Sequence, residues 1–197
     1  AVATSLAILI MGVMAYPLSR SNYKHRKFVT VLVLITMLFN AGMVPNYLLI
    51  VKYLKLNNTI WVYILPGLVG AYNLIVIRTN YRSLPKELIE SAKIDGASDF
   101  RIFVQIILPM AKGPMVAVTI LTLIGLWNDY LTPSIYLPKK PTIAYGIYLM
   151  QSTMVDTKGQ YPLFFATIVL TMIPIILVFV LFNKTIMENT SVGGLKG

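Results

Sequence analysis

Cysteine is absent from this chain of 197 residues, and charged side chains make up only 12% of it. Without thiols there is no disulfide framework, no thiolate metal site and no cysteine nucleophile. The single histidine, His25, leaves no histidine-rich metal site and removes nearly all triad chemistry. Soluble domains carry about 25% charged residues, and disordered chains combine high charge with low hydrophobicity. Because 57% of the residues are hydrophobic, the composition argues against both classes and predicts a polytopic membrane protein.

Long apolar segments recur along the chain, each near the ~20 residues that a helix needs to cross a bilayer. They are continuously apolar rather than alternating, which favours helices over the strands of a barrel. The sequence therefore predicts an all-α, polytopic transmembrane helical bundle. Its five predicted spans are residues 1–18, 28–51, 59–77, 113–137 and 161–182.

The basic residues are unevenly distributed between the two sides of this bundle. Of the 17 lysines and arginines, 12 lie in the first connection, the third connection and the C-terminal tail. Because such residues mark cytoplasmic loops, we expect those connections and the C-terminus in the cytoplasm. Topology and contact with anionic lipid then account for most of the net charge of +10. Nucleic-acid binding, which needs a folded basic face with interleaved aromatics, is not predicted.

The third connection, residues 78–114, is the most polar part of the chain. It contains four of the seven acidic residues, namely Glu87, Glu90, Asp95 and Asp99. The pattern predicts two short helices joined by a turn at Asp95-Gly96, where glycine is free to take a positive φ.

Local signals give the bounds of these two helices. Ser83 is predicted to cap the first, with Pro85 in its opening turn, and Ser98 to cap the second, which covers residues 100–108. Pro109 is predicted to stop the second helix. On composition alone, a solvated loop and a docking site for a soluble partner remain equal alternatives.

The spacing within this loop favours docking. Glu90-Ser91-Ala92, three further residues, Gly96, nine further residues and Ile106-Ile107-Leu108-Pro109 follow in order. This resembles the EAA signature of ATP-binding-cassette importer permeases, from which only Ser91 departs. The stretch 83–98 and Trp127-Asn128-Asp129 resemble the sugar-importer branch of that family.

The resemblance covers essentially the whole chain. It implies a single permease domain over residues 1–197 that forms half of a translocation pore, with residues 78–114 as the coupling loop. Family members have six spans, so an N-terminal truncation is expected. The implied substrate is a sugar or oligosaccharide, and the implied location is the bacterial cell membrane.

The resemblance also implies partners and residue roles. The partners are a cytoplasmic ATPase dimer, a second and different permease, and an extracytoplasmic solute-binding protein. No phosphate-binding loop occurs in this chain, so we expect ATP hydrolysis on the ATPase, no cofactor here and no enzyme activity. The residues implied to couple to the ATPase are Glu87, Glu90, Ser91, Ala92, Asp95, Gly96, Ile106, Leu108 and Pro109.

Asn128 and Asp129 are predicted to lie near the outer end of the fourth span. An ionisable group at membrane depth is costly, so it should face protein or water. One interpretation is a pore-lining or gate position. The other, which we favour, is a hydrogen bond between helices or a residue already at the interface.

Other functions fit the sequence less well. An importer for a non-sugar solute is the nearest alternative. A channel or secondary transporter would place charged groups inside several spans, and here only Asp129 qualifies. An intramembrane enzyme needs a nucleophile with a base, or metal ligands, and a lone carboxylate supplies neither. A membrane subunit without transport would not require the EAA spacing.

Overall fold

The structure, a computed structural model, describes residues 2–154 and 161–193, and all the regular secondary structure in them is helical. No strand occurs among them, and the all-α prediction is confirmed. We count the π-helical stretches Leu49–Tyr53 and Phe103–Ile107 with the helices that they continue. The helices are α1 Val2–Ser19, α2 Arg26–Leu38, α3 Met43–Tyr53, α4 Trp61–Ile64, α5 Ala71–Ser83, α6 Lys86–Ile94, α7 Asp99–Met110, α8 Lys112–Asn128, α9 Leu131–Tyr136, α10 Ile143–Met154 and α11 Tyr161–Gly193.

Two helices are long and apolar enough to cross a membrane alone: α1 and the stretch Tyr161–Asn183 of α11. Two bent pairs meet the same criteria when taken together. Helices α2 and α3 are bent by 113° at their junction, and α7 and α8 by 75°. The described residues therefore offer two to four crossings by length and composition, fewer than the five that the sequence predicts.

The third predicted span, residues 59–77, is not one helix. Helix α4 ends at Ile64 and α5 begins only at Ala71. Between them lie Pro66 and two glycines. Proline lacks the N–H for the intrahelical hydrogen bond and its ring clashes with a preceding carbonyl, while glycine disfavours helix. The prediction of one continuous span here was wrong because it gave more weight to hydropathy than to these helix-breaking residues.

The fourth predicted span, residues 113–137, is also two helices. Helix α8 ends at Asn128, and the short helix α9 follows after two residues. In a continuous helix the ring of Pro133 would meet the carbonyl of Asp129, four residues earlier. The chain therefore turns at Asp129, and the predicted span was too long at its C-terminal end.

The larger hydrophobic core lies within residues 5–40 and 68–119. Helix α1 presents one face to it, and the residues of that face recur every three or four positions, as on one side of a helix. They are Ala7, Met11, Ala15 and Leu18. Helices α5 to α8 and the α7–α8 junction supply the remaining buried side chains, Leu74, Ile77, Tyr81, Ile89, Ile102, Phe103, Ile107, Ala111 and Val118.

A hydrogen bond fixes the end of α1 against α5. Arg78 donates from Nε to the carbonyl oxygen of Leu18 at 2.9 Å. The last carbonyls of a helix have no partner within it, so this donor satisfies one of them. Burial lowers the pKa of Arg78, and the nearby cations Arg26 and Arg82 lower it further. This corner of the protein is therefore crowded with positive charge.

A smaller core lies within residues 41–67 and 120–184. Its buried residues are Ile50, Val62, Tyr136 and Leu137. The Asn58 amide donates to the carbonyl of Tyr136 at 2.8 Å, and the Tyr47 and Tyr136 rings stack with centroids 5.9 Å apart. These contacts join α3 and the loop after it to the end of α9.

Candidate functional site

The turn between α6 and α7 has the geometry that the EAA spacing requires. Gly96 has φ +78°, so the predicted positive φ is confirmed. Its amide donates to the Lys93 carbonyl at 3.0 Å, and the Ala97 amide donates to the Ala92 carbonyl at 2.9 Å. This pair of bonds is a Schellman motif, with Ala92 three positions inside the helix end and Gly96 just beyond it. The four-residue offset from Ala92 to Gly96 is therefore the offset that this helix terminus needs.

The start of α7 is capped as predicted. The Arg101 amide donates to Ser98 Oγ at 3.3 Å, which satisfies one of the free donors of the first turn. Asp99 lies in that turn, where a negative charge suits the helix dipole. It pairs with Lys93 across the turn at 3.2 Å. Both groups are largely exposed, so this pair adds at most about 1 kcal/mol.

The predicted cap at Ser83 was wrong. Its hydroxyl donates back to the Asn80 carbonyl at 2.8 Å, within the last turn of α5. Pro85 occupies the cap position of α6 and offers no side-chain hydrogen bond. A serine hydroxyl near a helix end can donate to a preceding carbonyl as readily as it caps the next helix. Here the Ser83 hydroxyl bonds to α5 and not to α6.

The predicted stop at Pro109 was also wrong. Helix α7 continues to Met110, and Pro109 lies exposed in its last turn. The helix widens before the proline, because the Leu108 amide donates to the Phe103 carbonyl five residues back. Such π turns relieve the conflict between a proline ring and the preceding carbonyls. The chain bends instead at Ala111, where φ and ψ are −90° and 7°.

Helices α6 and α7 and the turn between them, residues 86–110, form a corner. One face of this α6–α7 corner packs into the larger core. Ile89 of α6 is 5% exposed, and Ile102 and Ile107 of α7 are fully buried. Ile106 and Leu108, two of the predicted coupling residues, are half-buried and pack against the same core. Ala92 does so as well. These contacts hold the corner rigidly to α1 and α5.

The opposite face of the corner is open. Four of the predicted coupling residues on α6 and its turn are exposed: Glu87, Glu90, Ser91 and Asp95. Within the described part of the chain, neither glutamate forms an ion pair. Two large apolar side chains flank the turn on this side, Ile94 at 86% exposure and Phe100 at 76%. Sequence reasoning did not select Ile94, although an isoleucine on the polar face of an amphipathic helix was a usable signal.

A small cleft of about 330 Å³ lies behind the turn. It brings together three predicted coupling residues, Ala92, Asp95 and Ile106. Arg101 and Gln105 also line it, and Arg101 Nε donates to Gln105 Oε1 at 2.9 Å. The coupling residues thus divide between an exposed surface and this cleft.

Asn128 and Asp129 stand at the break between α8 and α9. Asn128 is exposed and donates to the carbonyl of Ile124 in its own helix at 3.0 Å. The Asp129 carboxylate accepts from the Thr132 amide at 3.0 Å, and its carbonyl accepts from the Tyr63 hydroxyl at 3.0 Å. The carboxylate therefore has a local structural partner, whatever further role it has.

In the stretches that the structure describes, no three His, Cys, Asp or Glu side chains are grouped as a metal site would need. The corner instead offers unpaired carboxylates and exposed apolar side chains on a rigid base. The fold, with its long apolar helices, defines a helical membrane component.

The chain belongs to the family described as "Binding-protein-dependent transport system inner membrane component", which it matches over residues 5–188. It is therefore a permease subunit of an ATP-binding-cassette transport system and not an enzyme, as the EAA spacing predicted.

Similar proteins include two of Bacillus subtilis. The chain is 33% identical to protein LplC of Bacillus subtilis, with all of this chain and 70% of LplC aligned. It is 32% identical to the polygalacturonan/rhamnogalacturonan transport system permease protein YtcP of the same organism, with all of this chain and 73% of YtcP aligned. Among solved structures, it is similar to a chain of a bacterial ABC transporter involved in the import of the acidic polysaccharide alginate. That match has a TM-score of 0.77 and 27% identity, and covers 92% of this chain and 70% of the other.

Proposed function

We propose that this permease forms half of the pore through which a sugar or oligosaccharide enters the cell, and that it is coupled to its ATPase by the corner of α6 and α7. The observation that carries the coupling role is the two-sidedness of that corner. One face is buried in the larger core through Ile89, Ile102 and Ile107, and the other exposes Glu90, Ile94 and other side chains to a partner.

The roles of the individual residues follow from their positions. Glu87, Glu90, Ser91 and Asp95 supply the polar contact surface, and a carboxylate there makes charge-assisted hydrogen bonds with donors on the ATPase. Ala92 and Gly96 maintain the helix terminus. Ile106 and Leu108 hold α7 against the core at the far end of the corner, and the exposed Pro109 lies in the last turn before the bend at Ala111.

This arrangement suits the transmission of movement. A short helix gripped by a closing ATPase moves as a rigid body, and packed helices pass that displacement on rather than absorb it. The core connects α6 and α7 to α1 and α5, so a shift of the corner moves those helices too. We place the coupling loop, residues 78–114, and the C-terminus in the cytoplasm, on the basis of the lysine and arginine bias.

The implied assembly is an ATPase dimer, a second and different permease, and an extracytoplasmic solute-binding protein. We propose residues 1–197 as one permease domain within it. For the substrate we favour an acidic oligosaccharide, because one relative is named for polygalacturonan and rhamnogalacturonan and the similar solved structure imports alginate. Five lysines on the proposed outer side are compatible with such a substrate. Uptake without preference between uronate-containing and neutral oligosaccharides would contradict that assignment.

The coupling role is tested by crosslinking. The chain contains no cysteine, so a single introduced cysteine is its only thiol. Ile94→Cys places one beside the turn, and Lys140→Cys places one on an exposed site far along the chain. In the assembled transporter we expect a bifunctional thiol reagent to join position 94, and not position 140, to cysteines on the ATPase. Absence of any ATPase adduct from position 94 would refute the proposed docking surface.

A charge substitution tests the same surface independently. Glu90→Lys should weaken ATPase binding and lower transport at normal membrane abundance, because it reverses the charge at an exposed position whose carboxylate forms no ion pair among the described residues. Lys139→Glu is the matched control, an exposed charge reversal outside the loop. Unchanged transport in Glu90→Lys would count against its role.

Asn128 and Asp129 remain candidates for a pore-lining or gate position. What supports this is the break in the helix at Asp129, since broken helices with polar groups mark transport pathways in other membrane proteins.

A further inference from the structure

A cavity of about 810 Å³ lies beside the C-terminal end of α1, and it shares Glu90 and Phe100 with the exposed face of the α6–α7 corner. The end of α1 and the connection to α2 form one side. The end of α5 and helices α6 and α7 form the other. All its lining residues belong to residues 5–40 and 68–119, the part of the chain that shares the larger core.

The cavity wall is strongly basic. Its five cationic side chains face two carboxylates, Glu90 and Asp99, and the second of these is already paired with Lys93. The cations that remain against Glu90 are Arg20, Arg26, Arg82 and Lys86. Arg26 Nη1 has only a long hydrogen bond of 3.4 Å to the Arg20 carbonyl. An anion would therefore meet a surplus of positive charge here.

Two residues of the wall also carry unsatisfied polar atoms. The guanidinium of Arg20 lies 4.7 Å from the centroid of the Tyr16 ring. Its Nε and Nη2, and the Tyr16 hydroxyl, are buried and none of them makes a hydrogen bond of good geometry among the described residues, although the Tyr16 hydroxyl interacts with Arg20. Buried donors without acceptors are unfavourable, and native structures rarely leave them so. The oxygens of a bound anion would relieve that cost after a small side-chain movement.

Apolar side chains also line the wall, among them Val13, Pro17 and Leu84. Helix α1, a candidate membrane span without charge, ends at Ser19, directly before Arg20. The cavity therefore lies where a bilayer meets water, with basic and apolar surfaces together. Basic pockets between helices at this depth suit the headgroups of anionic lipids.

We propose that this cavity binds an anionic phospholipid, with its phosphate among Arg20, Arg26 and Arg82 and its glycerol region on the apolar wall. A free phosphate ion would use the cations but leave the apolar wall uncovered, so we favour the lipid. The inference goes beyond the transport role and does not depend on which solute is carried.

The test measures lipid labelling in the full-length permease, assembled with the second permease in phosphatidylcholine nanodiscs, first without the ATPase and then with it. Trace photoactivatable phosphatidylglycerol is added, and the adduct is quantified and mapped to peptides. Arg26→Gln/Arg82→Gln removes two cations of the wall, and Lys139→Gln/Lys140→Gln is a control with the same change of charge at exposed sites. Each basic residue near a membrane surface contributes roughly fivefold to anionic-lipid affinity, so the cavity variant should bind roughly 25-fold more weakly.

We expect the adduct in wild type to map to the residues around Arg20, and to persist in the Lys139/Lys140 variant and in Arg26→Lys/Arg82→Lys. If the double glutamine variant does not accumulate, Arg82→Gln alone should give roughly a fivefold loss. Equal labelling of wild type and cavity variant would overturn the proposal.

Two further results would also overturn it. Displacement of the lipid probe by inorganic phosphate alone would identify a free-anion site. Labelling that disappears when the ATPase binds, together with weaker ATPase binding by Arg26→Gln/Arg82→Gln, would identify the cavity as a protein contact.

Discussion

Replacing Gly96 by alanine isolates the backbone conformation of the α6–α7 turn. Gly96 has φ +78°, and an added Cβ would meet no atom within 4 Å. The cost is therefore conformational and not steric. An L-residue in the left-handed region costs about 1–2 kcal/mol, and the restricted unfolded chain offsets about 0.4–1 kcal/mol of that. The net loss of about 1 kcal/mol corresponds to roughly a fivefold smaller ratio of the observed turn to other conformations of the loop.

The assay is the affinity of the ATPase for the purified permease, at matched membrane abundance. We expect Gly96→Ala to weaken binding by up to about fivefold, because the apparent Kd rises as the fraction of the competent turn falls. Gly96→Asn should lose less, because asparagine tolerates the left-handed region better than alanine does. Gly42→Ala is the control. Gly42 has φ 85° and ψ 178°, also with no atom within 4 Å of an added Cβ, but it lies outside the coupling loop. That conformation is nearly exclusive to glycine, so the backbone penalty is at least as large.

Two results would refute this reasoning. If Gly96→Ala bound the ATPase as tightly as wild type, the turn geometry would not matter for docking. If Gly42→Ala weakened binding as much as Gly96→Ala, the effect would reflect general destabilisation and not the loop.

Three further predictions concern the interior and the α8–α9 break. Tyr81 is fully buried and its hydroxyl donates to Met115 Sδ at 3.2 Å. Tyr81→Ala should lower the free energy of unfolding by about 3–5 kcal/mol because of the cavity that it leaves, and Tyr81→Phe by about 1 kcal/mol or less. Thermal unfolding in detergent compares the two variants. Arg78→Met removes the donor to the end of α1, and the loss of a charged hydrogen bond should lower stability by about 1.5–3 kcal/mol in the same assay. Asp129→Asn keeps an oxygen for the Thr132 amide and should unfold like wild type, while Asp129→Ala should lose about 1 kcal/mol. If the carboxylate charge acts in a gate, Asp129→Asn lowers transport without changing stability, and unchanged transport would exclude that role.

The EAA spacing has a structural explanation in this chain. Ala92 and Gly96 occupy the two positions that a Schellman terminus requires, one that supplies a carbonyl acceptor and one with positive φ. The small side chain at Ala92 also fits against the core. The spacing therefore meets the requirement of the helix end and also places the exposed Glu90 about one turn before the last residue of α6, Ile94.

The membrane class, the helical fold and the turn at Gly96 followed from the sequence alone. Composition and continuous apolar runs determine the first two, and the conformational freedom of glycine determines the third. The cap at Ser98 was equally local, because its partner, the Arg101 amide, is only three residues away. The same local reasoning was wrong at Ser83, where two helices compete for one hydroxyl.

Tertiary structure decided the rest. Hydropathy predicted continuous spans over residues 59–77 and 113–137, but the stability of a helix across a proline depends on neighbours that periodicity does not describe. The pairing of Tyr63 with Asp129, 66 residues apart, leaves no local trace in the sequence. The cationic cavity likewise collects Arg20, Arg26 and Arg82 from separate parts of the chain. Only the packing of α1 against α5 and the α6–α7 corner places those charges together, because contacts between distant residues are made by folding and not by spacing.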